Sequence, residues 1–198
     1  MNGWRLTGLL SLLLLAMSVV LLAGQPDLEG LRLVVRSTAR TSLILFAMAF
    51  AASAVAELAP NGVTLWQRRN RRYLGVSFAV SHAIHLAALI ALAQLDAELF
   101  WTLTNPATFV LAGAAYLLLA AMTATSFDRT AAWLGPRKWR LLHLVGGWYI
   151  WISFAVAVGK RLPQGPVYWA MMALLLAVAI VRLVAMSRRS RRARALAV

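Results

Sequence analysis

The chain has 198 residues, of which 62% are hydrophobic and 13% are charged, so its apolar share lies well above the roughly 45–50% of soluble globular domains. This composition predicts an integral membrane protein. A formal charge of +14 would indicate nucleic acid binding in a soluble domain, but most basic residues lie in short connectors, where they set topology and meet lipid headgroups. We therefore expect no nucleic-acid partner. The absence of cysteine excludes disulfides, thiolate ligands and iron–sulfur clusters.

Six apolar stretches are long enough to cross a bilayer, because a hydrocarbon core of about 30 Å needs about 20 residues of helix. We predict an all-α fold, a polytopic six-transmembrane-helix bundle that forms a single domain over residues 1–198. The basic residues of 187–198 form a tail after the last span. The predicted spans are residues 4–23, 41–58, 73–95, 106–125, 139–158 and 167–186.

The first span also has features of a secretory signal, since Arg5 precedes a Leu-rich stretch and Ala23 and Gly24 are typical of a cleavage site. Its apolar run is longer than the core of most signal peptides, and five further spans follow. We expect an uncleaved first helix.

The basic residues predict the orientation of the spans. Fourteen of the 20 lysines and arginines fall on the side of both chain ends, which we therefore expect to be cytoplasmic. Arg182, in the last turns of the sixth span, is expected to snorkel toward that side. The other side holds Arg32, Arg36, Arg40, Lys160 and Arg161.

Three histidines are the candidate functional residues: His82 and His85 in the third span and His143 in the fifth. An ionisable side chain within a membrane is costly, so it is read first as part of a functional site. The alternative is a buried imidazole that bonds to a neighbouring helix or, for His143, an interfacial one near a basic cluster. Gly146 and Gly147 would allow close helix packing or leave room for a cofactor.

Several segments together resemble the ferric reductase-like transmembrane domain family, in particular the haem-binding membrane subunits of periplasmic methionine sulfoxide reductase systems. The resemblance covers roughly residues 36–160, with the segments in the right order and spacing. The segments are ARTSLILF, RRYLGVSFAVSHAIH, TNPATFVL and TATSFDRTAAWLGPRKWRLLH.

This resemblance implies a b-type haem that carries electrons across an inner membrane, with iron held by one histidine from the third span and one from the fifth. His85 and His143 would be the axial ligands, and His82 would bond a haem propionate or serve as a ligand. A flavin would be a further candidate cofactor. The chain lacks a Gly-rich dinucleotide fingerprint, so separate donor and acceptor proteins or a quinol would exchange its electrons.

The depths of these histidines differ. His85 lies 12 residues after Tyr73, or about 18 Å into the span, whereas His143 lies 4 residues after Trp139, or about 6 Å. The family's second helix-five histidine is replaced by Val156. Three arrangements stay open: His143 lies deeper and meets His82 or His85, Met48 is the second ligand, or a partner subunit supplies it.

The leading hypothesis is therefore an electron-transfer subunit of a membrane oxidoreductase, without catalytic residues of its own. The second hypothesis is a haem-free relative that acts as a membrane anchor or assembly partner. A small transporter finds little support, because no helix is broken near the midplane.

Overall fold

The computed structural model describes residues 2–195, and within them the chain is helical, with no strand. Six long helices alternate with three short ones and a 3₁₀ turn at Leu162–Gln164. The long helices are α1 (Trp4–Gly24), α2 (Leu28–Leu58), α4 (Arg71–Leu95), α6 (Pro106–Ala124), α8 (Pro136–Gly159) and α9 (Pro166–Ala195). The short helices are α3 (Gly62–Arg69), α5 (Ala97–Leu103) and α7 (Asp128–Leu134).

The six long helices, of 19 to 31 residues, are those long and apolar enough to cross a membrane. The predicted all-α fold with six candidate spans is confirmed, and apolar helices of this length indicate a multi-pass membrane protein. The three short helices lie in connectors where no helix was predicted.

The helix α2 begins at Leu28, 13 residues before the predicted start of the second span at residue 41. The Asp27 side chain accepts hydrogen bonds from the backbone amides of Glu29 and Gly30 and caps the helix there. The Glu29 carboxylate pairs with Arg32 and Arg36, which lie on the following turns. These charges belong to the helix and not to the connector in which they were placed.

Arg182 was predicted to snorkel toward the side of both chain ends. Its guanidinium packs against α2, where Nη1 donates to the carbonyl of Phe50. Beyond it, residues 187–195 continue α9 as helix, and residues 196–198 of the predicted tail lie outside the described residues.

The helix α2 is the most buried of the six and forms the centre of the bundle. It packs on α1, α4 and α9, while α6 and α8 pack on each other. An aromatic cluster joins these two groups, since the rings of Phe46 on α2, Phe78 on α4 and Phe154 on α8 lie with centroids 5.5 to 6.0 Å apart.

One end of the bundle is joined through Asn70, which lies between α3 and α4 and is 1% exposed. Its side-chain carbonyl accepts from the amide of Gly3 at 3.0 Å, and its amide group donates to Asn2 and to the Trp66 carbonyl. This end, which we call the basic end, contains the starts of α1, α4 and α8 and the ends of α2, α6 and α9.

We predict that Asn70→Ala lowers the free energy of unfolding by about 1–3 kcal/mol, because it leaves buried polar groups without partners. Thermal unfolding in detergent, followed by tryptophan fluorescence, measures the effect. Gln164→Ala, at an exposed position in the 3₁₀ turn, is the control and is expected to leave the midpoint unchanged. Equal midpoints for the two variants would contradict the assigned role of Asn70.

Candidate functional site

A row of hydroxyl groups joins α2 to α4 inside the bundle. Ser42 donates to Ser81 at 2.9 Å, Ser81 donates to the Thr38 carbonyl at 3.3 Å, and the Thr41 hydroxyl lies 3.1 Å from Ser81. Thr38, Ser42 and Ser81 are fully buried. Small hydroxyl side chains allow two helices to approach closely and to bond across the interface, so this row holds α4 at a defined position on α2.

His85 lies at one end of this row. Its Nδ1 atom is 3.0 Å from the Val35 carbonyl and 3.1 Å from the Thr38 hydroxyl oxygen. A carbonyl oxygen only accepts, so Nδ1 carries the proton and Nε2 keeps its lone pair. A backbone carbonyl that holds Nδ1–H in this way is the usual support of a metal-ligating histidine. The contact with Val35 therefore holds the His85 ring in an orientation that leaves Nε2 free of this bond.

His82 lies one turn before His85, with the two imidazole rings nearly parallel and their centroids 5.3 Å apart. Its ring also stacks on Tyr116 of α6, at 4.7 Å between centroids. The Nδ1 atom of His82 and the hydroxyl of Tyr116 are buried, and neither has a hydrogen-bond partner. Two unpaired polar atoms on adjoining rings fit a water molecule or a polar group of a bound cofactor.

His143 lies in a different place, near the basic end. Its ring stacks on Trp139 at 4.2 Å between centroids, and its Nε2 atom is 3.4 Å from the Thr125 hydroxyl at the end of α6. Trp139 also donates its indole N–H to the Thr125 carbonyl at 2.9 Å. These contacts tie α8 to α6 and account for a half-buried imidazole without a metal.

The structure brings His82 and His85 together but does not bring His143 to either. Along α6, the contacts of His82 and His143 at Tyr116 and Thr125 are nine residues apart, which is about 13 Å. Along α8, Phe154, whose ring centroid is 5.8 Å from that of His82, lies eleven residues past His143, or about 16 Å. The arrangement in which His143 lies deeper and meets the other two is thus not formed.

Met48 does not meet His85 either. His85 contacts α2 at Val35 and Thr38, and Met48 lies ten residues beyond Thr38, which is about 15 Å along the helix. The Met48 carbonyl accepts from Gln67 of α3, near the basic end. The prediction that Met48 shares the depth of His85 is wrong, because α2 begins 13 residues earlier than the sequence indicated.

The room beside the glycines of α8 is occupied by other side chains. A Cβ atom at Gly146 would lie 2.5 Å from the sulfur of Met122, and one at Gly147 would lie 3.1 Å from the ring of Phe50. Close helix packing therefore explains both glycines. Two cavities lie elsewhere, one beside Asp27 and Asp96 and the other among Leu14, Thr41 and neighbouring apolar residues.

Taken together, these contacts leave Nε2 of His85 as a donor and do not bring two histidines to opposite sides of one iron. His85 presents Nε2, and the unpaired atoms of His82 and Tyr116 lie one turn away. His82 does not serve as the opposite ligand, because two nearly parallel rings on successive turns of one helix do not face each other across an iron. Among residues 2–195 there is also no group of three or more histidine, aspartate or glutamate side chains that would hold a metal ion.

Comparison with known proteins identified no matching family model, curated protein or solved structure. The resemblance to the ferric reductase-like family therefore stays a prediction that rests on the segments named above.

The buried hydroxyl row between α2 and α4 and the contact of Tyr116 were not predicted from the sequence. The hydroxyl row had a sequence signal, because hydroxyl residues recur on one face of α2 at positions 38, 41 and 42 and on α4 at positions 77 and 81. Tyr116 had no such signal, since its contact with His82 depends on how α6 packs against α4.

We predict that Ser42→Ala and Ser81→Ala are energetically coupled. Hydrogen bonds between membrane helices contribute about 0.6 kcal/mol on average and at most about 1.7 kcal/mol, and a coupling in this range is expected. Unfolding of the two single variants and the double variant in mixed micelles measures it.

Ser153→Ala is the matched control, because the Ser153 hydroxyl donates to the Tyr149 carbonyl of its own helix. Combined with Ser81→Ala, it is expected to give additive effects. If the losses of stability in Ser42→Ala and Ser81→Ala were also additive in the double variant, this result would contradict a direct bond between the two residues.

Proposed function

We propose that this protein is a membrane electron-transfer subunit that binds a b-type haem through His85. The observation that carries the proposal is the bond from Nδ1–H of His85 to the Val35 carbonyl, because it leaves Nε2 as a metal donor. A bound haem would supply one-electron exchange at its iron. The chain's own residues hold the ligand in position and exclude water.

The polar contacts around His85 have defined tasks in this proposal. Val35 and Thr38 fix the tautomer and the ring orientation, while the Ser42–Ser81 bond keeps α4 from sliding along α2. The apolar surroundings give the dry site that electron transfer within a membrane requires.

The second axial ligand is proposed to come from outside this chain. His143 and Met48 lie about 13 to 16 Å from the level of His82 and His85 along their neighbouring helices. A partner subunit is the source that the sequence analysis left open. Electrons would reach the haem from a separate donor protein or quinol and leave to a separate acceptor, with a flavin as a further candidate cofactor at the donor.

The proposal includes an orientation in the membrane. The excess of lysine and arginine at the basic end favours a cytoplasmic location for that end and for both termini, in an inner membrane. Acidic residues at the opposite end, among them Glu29, Asp96 and Glu98, agree with this orientation.

A second function is favoured by a different observation. The room that Gly146 and Gly147 could leave for a cofactor is filled by Met122 and by Phe50, respectively. A bundle packed in this way, with His143 bonded to Thr125, also suits a haem-free membrane anchor or assembly partner.

We predict a reduced-minus-oxidised absorption difference of b-type haem in protein purified after haem-supplemented expression. His85→Ala is expected to abolish this signal, because it removes the metal donor. His143→Ala is the matched control and is expected to keep it. Pyridine haemochrome quantification per chain gives the stoichiometry, and size-exclusion chromatography reports whether each variant is folded.

The outcomes separate the two functions. No haem in well-folded wild-type protein would reject electron transfer and leave the anchor. Loss of haem in His143→Ala as strongly as in His85→Ala would show that the two histidines share one iron, contrary to the contacts of His143 described above.

A further inference from the structure

Three arginines from two helices converge on one face of α2 at the basic end. Arg182 of α9 donates to the Phe50 carbonyl, Arg71 of α4 donates to the Ser53 hydroxyl at 2.8 Å, and Arg189 of α9 pairs with Glu57. The three contact positions on α2 are 50, 53 and 57, a spacing that places them on one face over two turns, or about 10 Å. We call Arg71, Arg182 and Arg189 the arginine triad.

The triad has more positive charge than its surroundings balance. Glu57 is the one carboxylate that bonds a member of the triad in the described part of the chain. The other five acidic residues of the protein are engaged or distant, because Asp128 pairs with Arg72 and the rest lie at or near the opposite end of the bundle. Two of the three guanidinium charges thus have no counter-charge from the protein.

Arg182 is the member with the clearest unmet bonding capacity. Its guanidinium carbon lies 3.9 Å from the centroid of the Phe50 ring, and its Nε atom is buried without a hydrogen-bond partner. A guanidinium has five N–H donors in a planar fork that matches a phosphate or carboxylate. A neutral carbonyl and an aromatic face use only part of this capacity.

Exposed apolar side chains of α9 border the triad. Leu183, Val184 and Met186 are exposed between Arg182 and Arg189 on the outside of the bundle. An uncompensated cationic site at the end of a bundle, bordered by exposed apolar side chains, has the two features that a lipid with an anionic headgroup requires. A free anion would use only the first of them.

We propose that the arginine triad binds the phosphate of an anionic lipid, whose acyl chains lie against the apolar outer surface of α9. Arg71 and Arg182 are the phosphate donors, and Glu57 competes with the lipid for Arg189. The site is independent of the haem proposed above, since His85 contacts α2 at Val35 and Thr38, more than ten residues from Phe50.

The test uses the full chain in phosphatidylcholine mixed micelles, titrated with phosphatidylglycerol and followed by the thermal midpoint of tryptophan fluorescence. A ligand that binds the folded state raises this midpoint in a saturable way, which yields an apparent Kd. We expect saturable stabilisation of the wild type. Loss of one charge-assisted bond is expected to weaken binding by about tenfold in Arg71→Gln and in Arg182→Gln.

Two further variants sharpen the result. Arg188→Gln removes the same charge from an exposed position next to Arg189 and is expected to bind phosphatidylglycerol as the wild type does. Glu57→Gln removes the competing carboxylate and is expected to tighten binding several-fold, whereas general charge attraction to anionic micelles would change little with one substitution. Should Arg182→Gln fail to fold, Arg71→Gln carries the test, because the Arg71 side chain is exposed and bonds only the Ser53 hydroxyl.

A parallel titration with inorganic phosphate in phosphatidylcholine micelles distinguishes the source of the phosphate. No stabilisation by inorganic phosphate is the expected result. Stabilisation equal to that by phosphatidylglycerol, with the same dependence on Arg71 and Arg182, would overturn the lipid in favour of a soluble anion. Equal weakening in Arg188→Gln, or a non-saturable response in the wild type, would overturn the site itself.

Discussion

The contact between α2 and α4 is the interaction on which the rest of the structure depends. A backbone in an apolar environment satisfies its own hydrogen bonds by forming helices, so specificity between helices must come from close packing and from the few buried side chains that bond across an interface. Here those side chains are Ser42, Ser81 and Thr38, which are fully buried at one contact. The same contact orients His85, so the position of the candidate ligand is a consequence of how the bundle is held together.

Helix geometry then limits what the histidines do together. A rise of about 1.5 Å per residue means that a histidine near the start of α8 and one beyond the middle of α4 stay at different levels unless a helix is strongly tilted or broken. Both helices are continuous here, and Phe154, not His143, faces His82. The protein therefore has a candidate site with two adjacent imidazoles at one level and a separate imidazole, which stacks on Trp139 and contacts Thr125, at another. This division is why the proposed function assigns His85 and His143 different roles.

Arginine has several uses in this bundle. Arg32 and Arg36 share the carboxylate of Glu29 on α2, and Arg72 pairs with Asp128 at the basic end. Arg182 differs, since it lies against a carbonyl and an aromatic ring and leaves one buried N–H group unpaired. Its contact with α2 converts a residue that would otherwise mark the membrane boundary into part of a cationic site. The structural tie at Asn70 and the cationic site thus occupy the same end of the bundle, next to each other through α3 and α4.

The six candidate spans were predictable from sequence because apolar runs of about 20 residues have few alternatives to a helix in a bilayer. The proximity of His82 and His85 was equally predictable, since residues three apart share a helix face. The start of α2 was not, because a scan for apolar residues stops at Arg40 and takes no account of the Asp27 cap or of the Glu29 ion pairs. Only the tertiary structure decided three features: the partners of His85, the contact of Tyr116 with His82 and the contact of Arg182 with α2. Each depends on which helices are neighbours and at what level they meet. Apolar helix surfaces resemble one another and the lipid, so a single sequence does not indicate which of them pack together.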